Sequence, residues 1–142
     1  MQAPDVNVLV YSHREELPEH EACRKWLEGV LSGPSAFALT YEVLSGFVRV
    51  VTHPRVFLTP SPLSDALEFA RILLAQPHAV LVGPGPRHWD VFSTLCLGAG
   101  VKGNLVADAH HAAIAIESGC EWVTTDRDYS RFPGLRLWNP LA

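Results

Sequence analysis

Two aspartates, Asp126 and Asp128, stand two residues apart, and Thr124-Thr125 separates them from the apolar pair Trp122-Val123. That pair belongs to a short apolar run that predicts a buried strand, so both carboxylates lie at a strand end. A carboxylate cannot enter an apolar core alone, because the loss of hydration costs too much; it must be paired, protonated or metal-bound. A solvated, aspartate-rich turn is the alternative interpretation.

Three more acids stand in apolar surroundings elsewhere in the chain: Asp5, Glu42 and Asp108. Asp108 is the most informative, because the helix surface around it is small and apolar and includes Ala109 and Ala112. An acid on such a face indicates that something must approach it closely. The alternative is that Asp108 lies at the edge of its helix and meets water.

Together the five acids offer only oxygen ligands, which select Mg²⁺ or Mn²⁺ over zinc. Two unit charges about 4 Å apart repel by roughly 4 kcal/mol at an effective dielectric near 20, so an empty cluster should hold protons and release them to a metal. Two such cations suit the attack of water on a phosphodiester without a nucleophilic side chain. The chain has no G-x-S-x-G elbow, Walker A loop or G-x-G-x-x-G turn.

Composition predicts one compact domain, residues 1–142, since 48% of the residues are hydrophobic and 18% are charged. The net charge of −4 argues against nucleic acid, but without the five acids ten acidic residues face eleven Lys and Arg, which leaves +1. An RNA substrate is therefore permitted. Three widely spaced cysteines indicate reduced thiols and a cytoplasmic protein. We see neither a membrane-spanning run nor a secretory signal.

Periodicity and capping signals predict the elements that must position the acids. Thr40 is expected to open one helix as its N-cap, and four more helices are expected at 22–32, 62–76, 88–97 and 105–118. Four strands are expected at 35–39, 79–82, 122–123 and 135–138. Residues 6–11 are too few for their pattern to separate strand from helix. Alternating strands and helices indicate an α/β fold around a mainly parallel sheet, whose sites form beyond the carboxyl ends of the strands.

Histidines and tryptophans are further candidates for residues of the site. His110 and His111 are adjacent, so they face different directions on a helix, and His111 is the nearer to Asp108. The other five histidines are expected at the surface, and the four tryptophans in the core: His13, His20, His53, His78, His88, and Trp26, Trp89, Trp122, Trp138.

Four motifs in order resemble the PIN-domain nucleases, above all the VapC-type toxins of bacterial toxin–antitoxin pairs: the segment from Asp5 to Val10, Glu42 opening a helix, the segment 103–110 and the segment 124–135. The resemblance implies a three-layer α/β/α sandwich, a Mg²⁺- or Mn²⁺-dependent endoribonuclease, a homodimer, and a small antitoxin that places a basic side chain in the acidic pocket. It further implies a helix at residues 6–11.

The resemblance also assigns roles to individual residues, as follows: metal ligands Asp5, Glu42, Asp108 and Asp126, a supporting acid at Asp128, and orienting polar residues at Asn7 and Thr125. One departure is the start of the chain, where only four residues, ending in Pro4, precede Asp5. Proline has no N–H to give a sheet, so either the first strand is very short or this start is not native.

Two other functions stay open. A phosphatase of the haloacid-dehalogenase type also uses Mg²⁺ and an early aspartate, but it needs a second aspartate where this chain has Asn7. A catalytically inert module could use the acidic pocket only to bind a partner's arginine. For a nuclease, the basic residues expected to steer RNA are Arg49, Lys102, Arg127 and Arg131.

Overall fold

The computed structural model describes residues 1–142. One sheet of five parallel strands has the order β3-β2-β1-β4-β5, with β1 Gln2–Pro4, β2 Phe37–Leu39, β3 Ala79–Leu81, β4 Glu121–Val123 and β5 Arg136–Trp138. The helices are α1 Val6–His13, α2 His20–Ser32, α3 Tyr41–Val51, α4 Leu63–Leu74, α5 His88–Ala99 and α6 Asn104–Ser118, and a 3-10 helix spans Arg127–Arg131. The predicted α/β/α sandwich around a parallel sheet is confirmed.

The strand order brings the ends of β1 and β4 together. After β1 the chain builds β2 and β3 on one side, and it then returns to add β4 and β5 on the other. Pro4 is in register with Val123, so Asp5 and Thr124 follow neighbouring strands at the same edge. Ligand sites of open parallel sheets form at this reversal of strand order.

Pro4 lies in the central strand, where a missing N–H has to be accommodated. The amide of Asp5 donates to Val123 O, and Met1 O accepts from Glu121. Alternate residues of a parallel strand bond to opposite neighbours, so Pro4 faces β2. The pairing of β1 with β2 is reduced to Gln2 opposite Phe37. The first strand has three residues, as do the other four strands.

Residues 6–11 form a helix, as the family resemblance implies. Helix α1 packs against α2 on one side and α3 on the other, and Val8, Leu9 and Val10 are all buried. Because it is covered from both sides, its sequence lacks the amphipathic period that would have identified it. Asp5 caps it, accepting a 2.7 Å hydrogen bond from Val6 N.

Helix α3 begins where Thr40 was predicted to cap it. The Thr40 Oγ1 accepts a 3.0 Å hydrogen bond from Val43 N. Gly46 on this helix lets α1 approach closely, since a Cβ built there would lie 2.9 Å from Val6 Cγ2. The N-terminus of α3, with Glu42 in its first turn, is thereby held against α1.

Three predictions about burial are wrong. Trp89 is 71% exposed and Trp138 is 41% exposed, whereas Trp26 and Trp122 belong to the core. Trp89 lies on the outer face of α5, and Trp138 lies on β5, an edge strand of the sheet. His88 was expected at the surface and is buried.

None of the helices is long and apolar enough to cross a membrane.

Candidate metal-binding cleft

Asp5 is a buried carboxylate at the carboxyl end of β1, with 6% of its surface exposed. Its Oδ1 accepts from Val6 N, and its Oδ2 accepts a 2.7 Å hydrogen bond from the Thr124 hydroxyl. Burial raises the pKa of Asp5 to about 6, although both hydrogen bonds oppose the shift. The charges of Asp108 and Asp126 raise this pKa further.

Asp108 lies on α6 and is held by a buried tyrosine. The Tyr129 hydroxyl donates a 3.3 Å hydrogen bond to Asp108 Oδ1. Burial raises the pKa of Asp108, and the charge of Asp126 adds to the effect. Burial and the nearby carboxylates also hold the pKa of Tyr129 above its usual range, so its hydroxyl stays protonated and serves as the donor.

Asp126 lies in the turn after β4, and Asp128 lies in the 3-10 helix that follows it. Asp126 N donates to Thr124 Oγ1, and Asp126 Oδ1 caps the 3-10 helix by accepting a 2.9 Å hydrogen bond from Asp128 N. One carboxylate oxygen each from Asp108, Asp126 and Asp128 all lie within 4.8 Å of one another. The pair spaced two residues apart in sequence therefore meets an acid from a separate helix.

A cleft of about 780 Å³ is lined by Asp5, Asp108 and Asp126, together with Asn7 and His111. The Oδ1 of Asn7 is buried and bonded to no protein group. A buried acceptor without a partner beside carboxylates fits a bound cation or its water, and the all-oxygen donor set fits Mg²⁺ or Mn²⁺. A larger cavity of about 940 Å³ beside Met1 contains no carboxylate, so the chemistry points to the smaller cleft.

Glu42 is the predicted ligand that lies outside this group. It does not line the cleft; its Oε1 is 3.7 Å from His110 Nε2 on α6. Thr125 also lies outside the lining. The structure thus lines one cleft with Asp5, Asn7, Asp108 and Asp126, and it adds Asp128 beside Asp108 and Asp126. Glu42 and Thr125 lie outside the lining.

The four basic residues predicted to steer RNA lie at different places relative to the cleft. Arg49 lines the cleft. Arg131 Nη2 is 3.1 Å from Asp128 Oδ1, so its charge is partly used within the chain. Arg127 lines a separate pocket beside Trp138, and Lys102 is exposed before α6. Arg49 is therefore the basic side chain best placed to meet a phosphate in the cleft.

Sequence reasoning gave Thr124 and Tyr129 no role in the site, although each donates a hydrogen bond to a cleft carboxylate. Their position in the same motif as Asp126 was the available signal. His111, three residues after Asp108, does line the cleft, and its ring stacks on Trp122 at 5.6 Å. Burial lowers the pKa of His111 to about 4, so this imidazole is neutral at pH 7.

A parallel α/β/α sandwich that gathers carboxylates at the reversal of strand order has the acidic site of a divalent-cation-binding domain. Comparison with known proteins identifies the family. The family model of the PIN domain matches residues 3–135. The chain belongs to the PIN domain family, which confirms the resemblance drawn from its motifs.

Individual relatives are similar over nearly the whole chain. VapC ribonuclease Mb2897 of Mycobacterium bovis is 44% identical over 141 residues, which cover 99% of this chain and 96% of the relative. Ribonuclease VapC25 of Mycobacterium tuberculosis is 40% identical over 136 residues, covering 96% of each. The chain is thus similar to VapC ribonucleases within the family.

Solved structures share the fold at lower identity. VapBC2 from Rickettsia felis, bound to a DNA fragment from its promoter, superposes with a TM-score of 0.71 at 18% identity and covers 97% of each chain. Mycobacterium tuberculosis VapC20, a sarcin–ricin loop cleaving toxin, gives a TM-score of 0.66 at 16% identity, covering 96% of this chain and 99% of that one. At these identities the likeness establishes the fold alone.

Proposed function

We propose that this protein is a divalent-metal-dependent endoribonuclease and the toxin of a toxin–antitoxin pair. The observation that carries the proposal is the convergence of Asp5, Asp108 and Asp126 in one cleft, from three separate elements. The relatives named VapC ribonucleases support RNA as the substrate class. The cleft holds no serine or cysteine that could act as a nucleophile, which is in keeping with hydrolysis by water.

The metal would be held by Asp5, Asp108 and Asp126, with Asp128 and Glu42 as further carboxylates of the site. A bound Mg²⁺ or Mn²⁺ supplies charge neutralisation at the phosphodiester and lowers the pKa of water. We assign Mg²⁺ or Mn²⁺ because every candidate ligand is a hard oxygen.

The chain's own residues contribute orientation and charge. Thr124 and the Val6 amide fix both oxygens of Asp5, and Tyr129 restrains Asp108, so the carboxylates keep their places when the cleft is empty. Such preorganisation lowers the cost of arranging them around a substrate. Arg49 at the cleft attracts the RNA backbone, which the surplus of acids would otherwise repel.

The partner we propose is a small antitoxin that places a basic side chain among the carboxylates. The cleft's negative charge supports this, because a guanidinium bonds two carboxylate oxygens at once. The fold is shared with a VapBC2 structure. We further propose a homodimer, and action in the cytoplasm, where RNA and antitoxin are both present.

Purified protein should be incubated with a panel of structured and unstructured RNAs in Mg²⁺, in Mn²⁺ and in EDTA. We expect cleavage with either metal and none in EDTA. Asp108→Asn should abolish cleavage while the chain stays folded, and Asp90→Asn on the exposed surface of α5 is the matched control. Cleavage by Asp108→Asn at the wild-type rate would refute the mechanism.

A catalytically inert interaction module is the competing outcome of the same experiment. It predicts that the protein binds its antitoxin but cuts no RNA in Mn²⁺. The phosphatase alternative has Asn7 where its second aspartate is needed, and no phospho-aspartate should form at Asp5.

A further inference from the structure

Three side chains from three helices form a row, and its middle member, His110, lies next to the cleft residue His111, with ring centroids 6.0 Å apart. His88 opens α5, His110 lies on α6, and Glu42 lies in the first turn of α3. The His88 Nε2 is 3.0 Å from the His110 Nδ1, and the His110 Nε2 is 3.7 Å from the Glu42 Oε1. The two rings meet edge to face, and His88 also stacks on Phe92.

The surroundings of His88 assign the protons along this row. The Nδ1 of His88 is buried and has no partner. A buried N–H without an acceptor is rarer than a buried lone pair without a donor, so the proton of a neutral His88 belongs on Nε2. His88 then donates to His110 Nδ1, and His110 must carry its own proton on Nε2, the nitrogen that faces Glu42.

We propose that His110, oriented by His88, is a positioning residue that directs the Glu42 carboxylate toward the metal site. The inference rests on the proposed function, because the role of Glu42 as a ligand belongs to it. The Glu42 side chain is 41% exposed, and its one close charged partner is His110 at 3.7 Å, an ion-pair distance that is too long for a hydrogen bond. Mutation of side chains that orient metal ligands typically changes metal affinity about 10- to 100-fold.

The test measures Mn²⁺ binding and needs no RNA. Dissociation constants should be determined by calorimetry or electron paramagnetic resonance for the wild type, Glu42→Gln, His110→Leu and the double variant. We expect each single variant to weaken binding about tenfold or more. The double variant should bind no more weakly than Glu42→Gln alone, because His110 acts only through Glu42.

Conservative and matched variants separate positioning from folding. His110→Gln keeps an N–H donor near the position of Nε2 and should restore most of the affinity lost in His110→Leu. His53→Leu, which removes a ring bonded only to the nearby Arg55 amide, should leave Mn²⁺ binding unchanged. Nitrogen-15 spectra should place the His110 proton on Nε2, and His88→Phe should abolish that preference.

The inference would be overturned if Mn²⁺ affinity were unchanged in His110→Leu or in Glu42→Gln. It would also be overturned if His110→Leu weakened Mn²⁺ binding as much in the Glu42→Gln background as in the wild type, or if the His110 proton were on Nδ1. A protein that passes these tests and cleaves no RNA would refute the proposed nuclease while leaving the positioning row intact. The two failures are therefore distinguishable.

Discussion

The Thr124 hydroxyl donates a hydrogen bond to Asp5 Oδ2 across a sequence separation of 119 residues. The oxygen of that hydroxyl, Thr124 Oγ1, accepts a hydrogen bond from the amide of Asp126. One buried hydroxyl thus connects the end of β1 with the turn that carries a second cleft carboxylate, and it does so at the place where the strand order reverses.

Removing that hydroxyl should cost stability and disturb Asp5. In Thr124→Val we expect the free energy of unfolding to fall by about 1–3 kcal/mol, because a buried carboxylate loses its donor. The pKa of Asp5 should rise above about 6, since the hydrogen bond now lowers it. Urea unfolding and NMR titration of the Asp5 carboxyl measure both effects. Thr124→Ser keeps the hydroxyl and is the control. If the two variants had the same stability and the same Asp5 pKa, the hydrogen bond from the Thr124 hydroxyl would not have the role described.

Asp5 should make the metal-free protein less stable as pH rises. Its pKa is about 6 in the folded chain against an ordinary value of 3.8, so the folded state binds this proton more tightly than the unfolded state. The stabilisation is complete below the unfolded pKa and is lost as pH rises through about 6, by at most about 3 kcal/mol.

The measurement is the difference in unfolding free energy between the wild type and Asp5→Asn, in EDTA, from pH 4 to pH 7. Asp5→Asn cannot titrate, so the difference isolates this one group. Saturating Mn²⁺ should reverse the trend, because a carboxylate ligand must be deprotonated. A difference that stays constant over this range would show that Asp5 does not titrate there.

Tyr129→Phe should change the titration of Asp108 more than the fold. Loss of the hydroxyl should lower the free energy of unfolding by about 0.5–1.5 kcal/mol and raise the pKa of Asp108, whose present hydrogen bond lowers it. The pH profile of RNA cleavage should therefore move to higher pH. Tyr41→Phe removes an exposed hydroxyl and should leave the profile in place. An unmoved profile in Tyr129→Phe would exclude this role for Tyr129.

Two helical glycines should respond in opposite directions to alanine. Gly29→Ala on α2 meets no atom within 4 Å and should stabilise the chain by about 0.5–1 kcal/mol. Gly46→Ala on α3 would place its Cβ 2.9 Å from Val6 Cγ2 and should be destabilising, since α1 and α3 must move apart next to Asp5. Thermal unfolding of both variants tests the contrast, and stabilisation by both would contradict the close approach.

Local signals in the sequence predicted the features whose causes are local. Thr40 caps α3 because its hydroxyl reaches an amide three residues later, and Gly119 ends α6 with a φ of 70°. The same kind of signal placed Asp126 after a buried strand. Helix α1 has no such local signal, because burial on both sides removes the amphipathic period from its sequence.

The sequence by itself determined an α/β chain with Asp5 and Asp126 after its strands. The family motifs added Asp108 and Glu42 on helices, and of these two only Asp108 lines the cleft. Only the tertiary structure decided that Asp5 meets Thr124, that Glu42 meets His110 rather than the cleft, and that His88 is buried. These contacts join residues distant in the chain. Their distances depend on how helices pack across the sheet, which no local pattern of residues records.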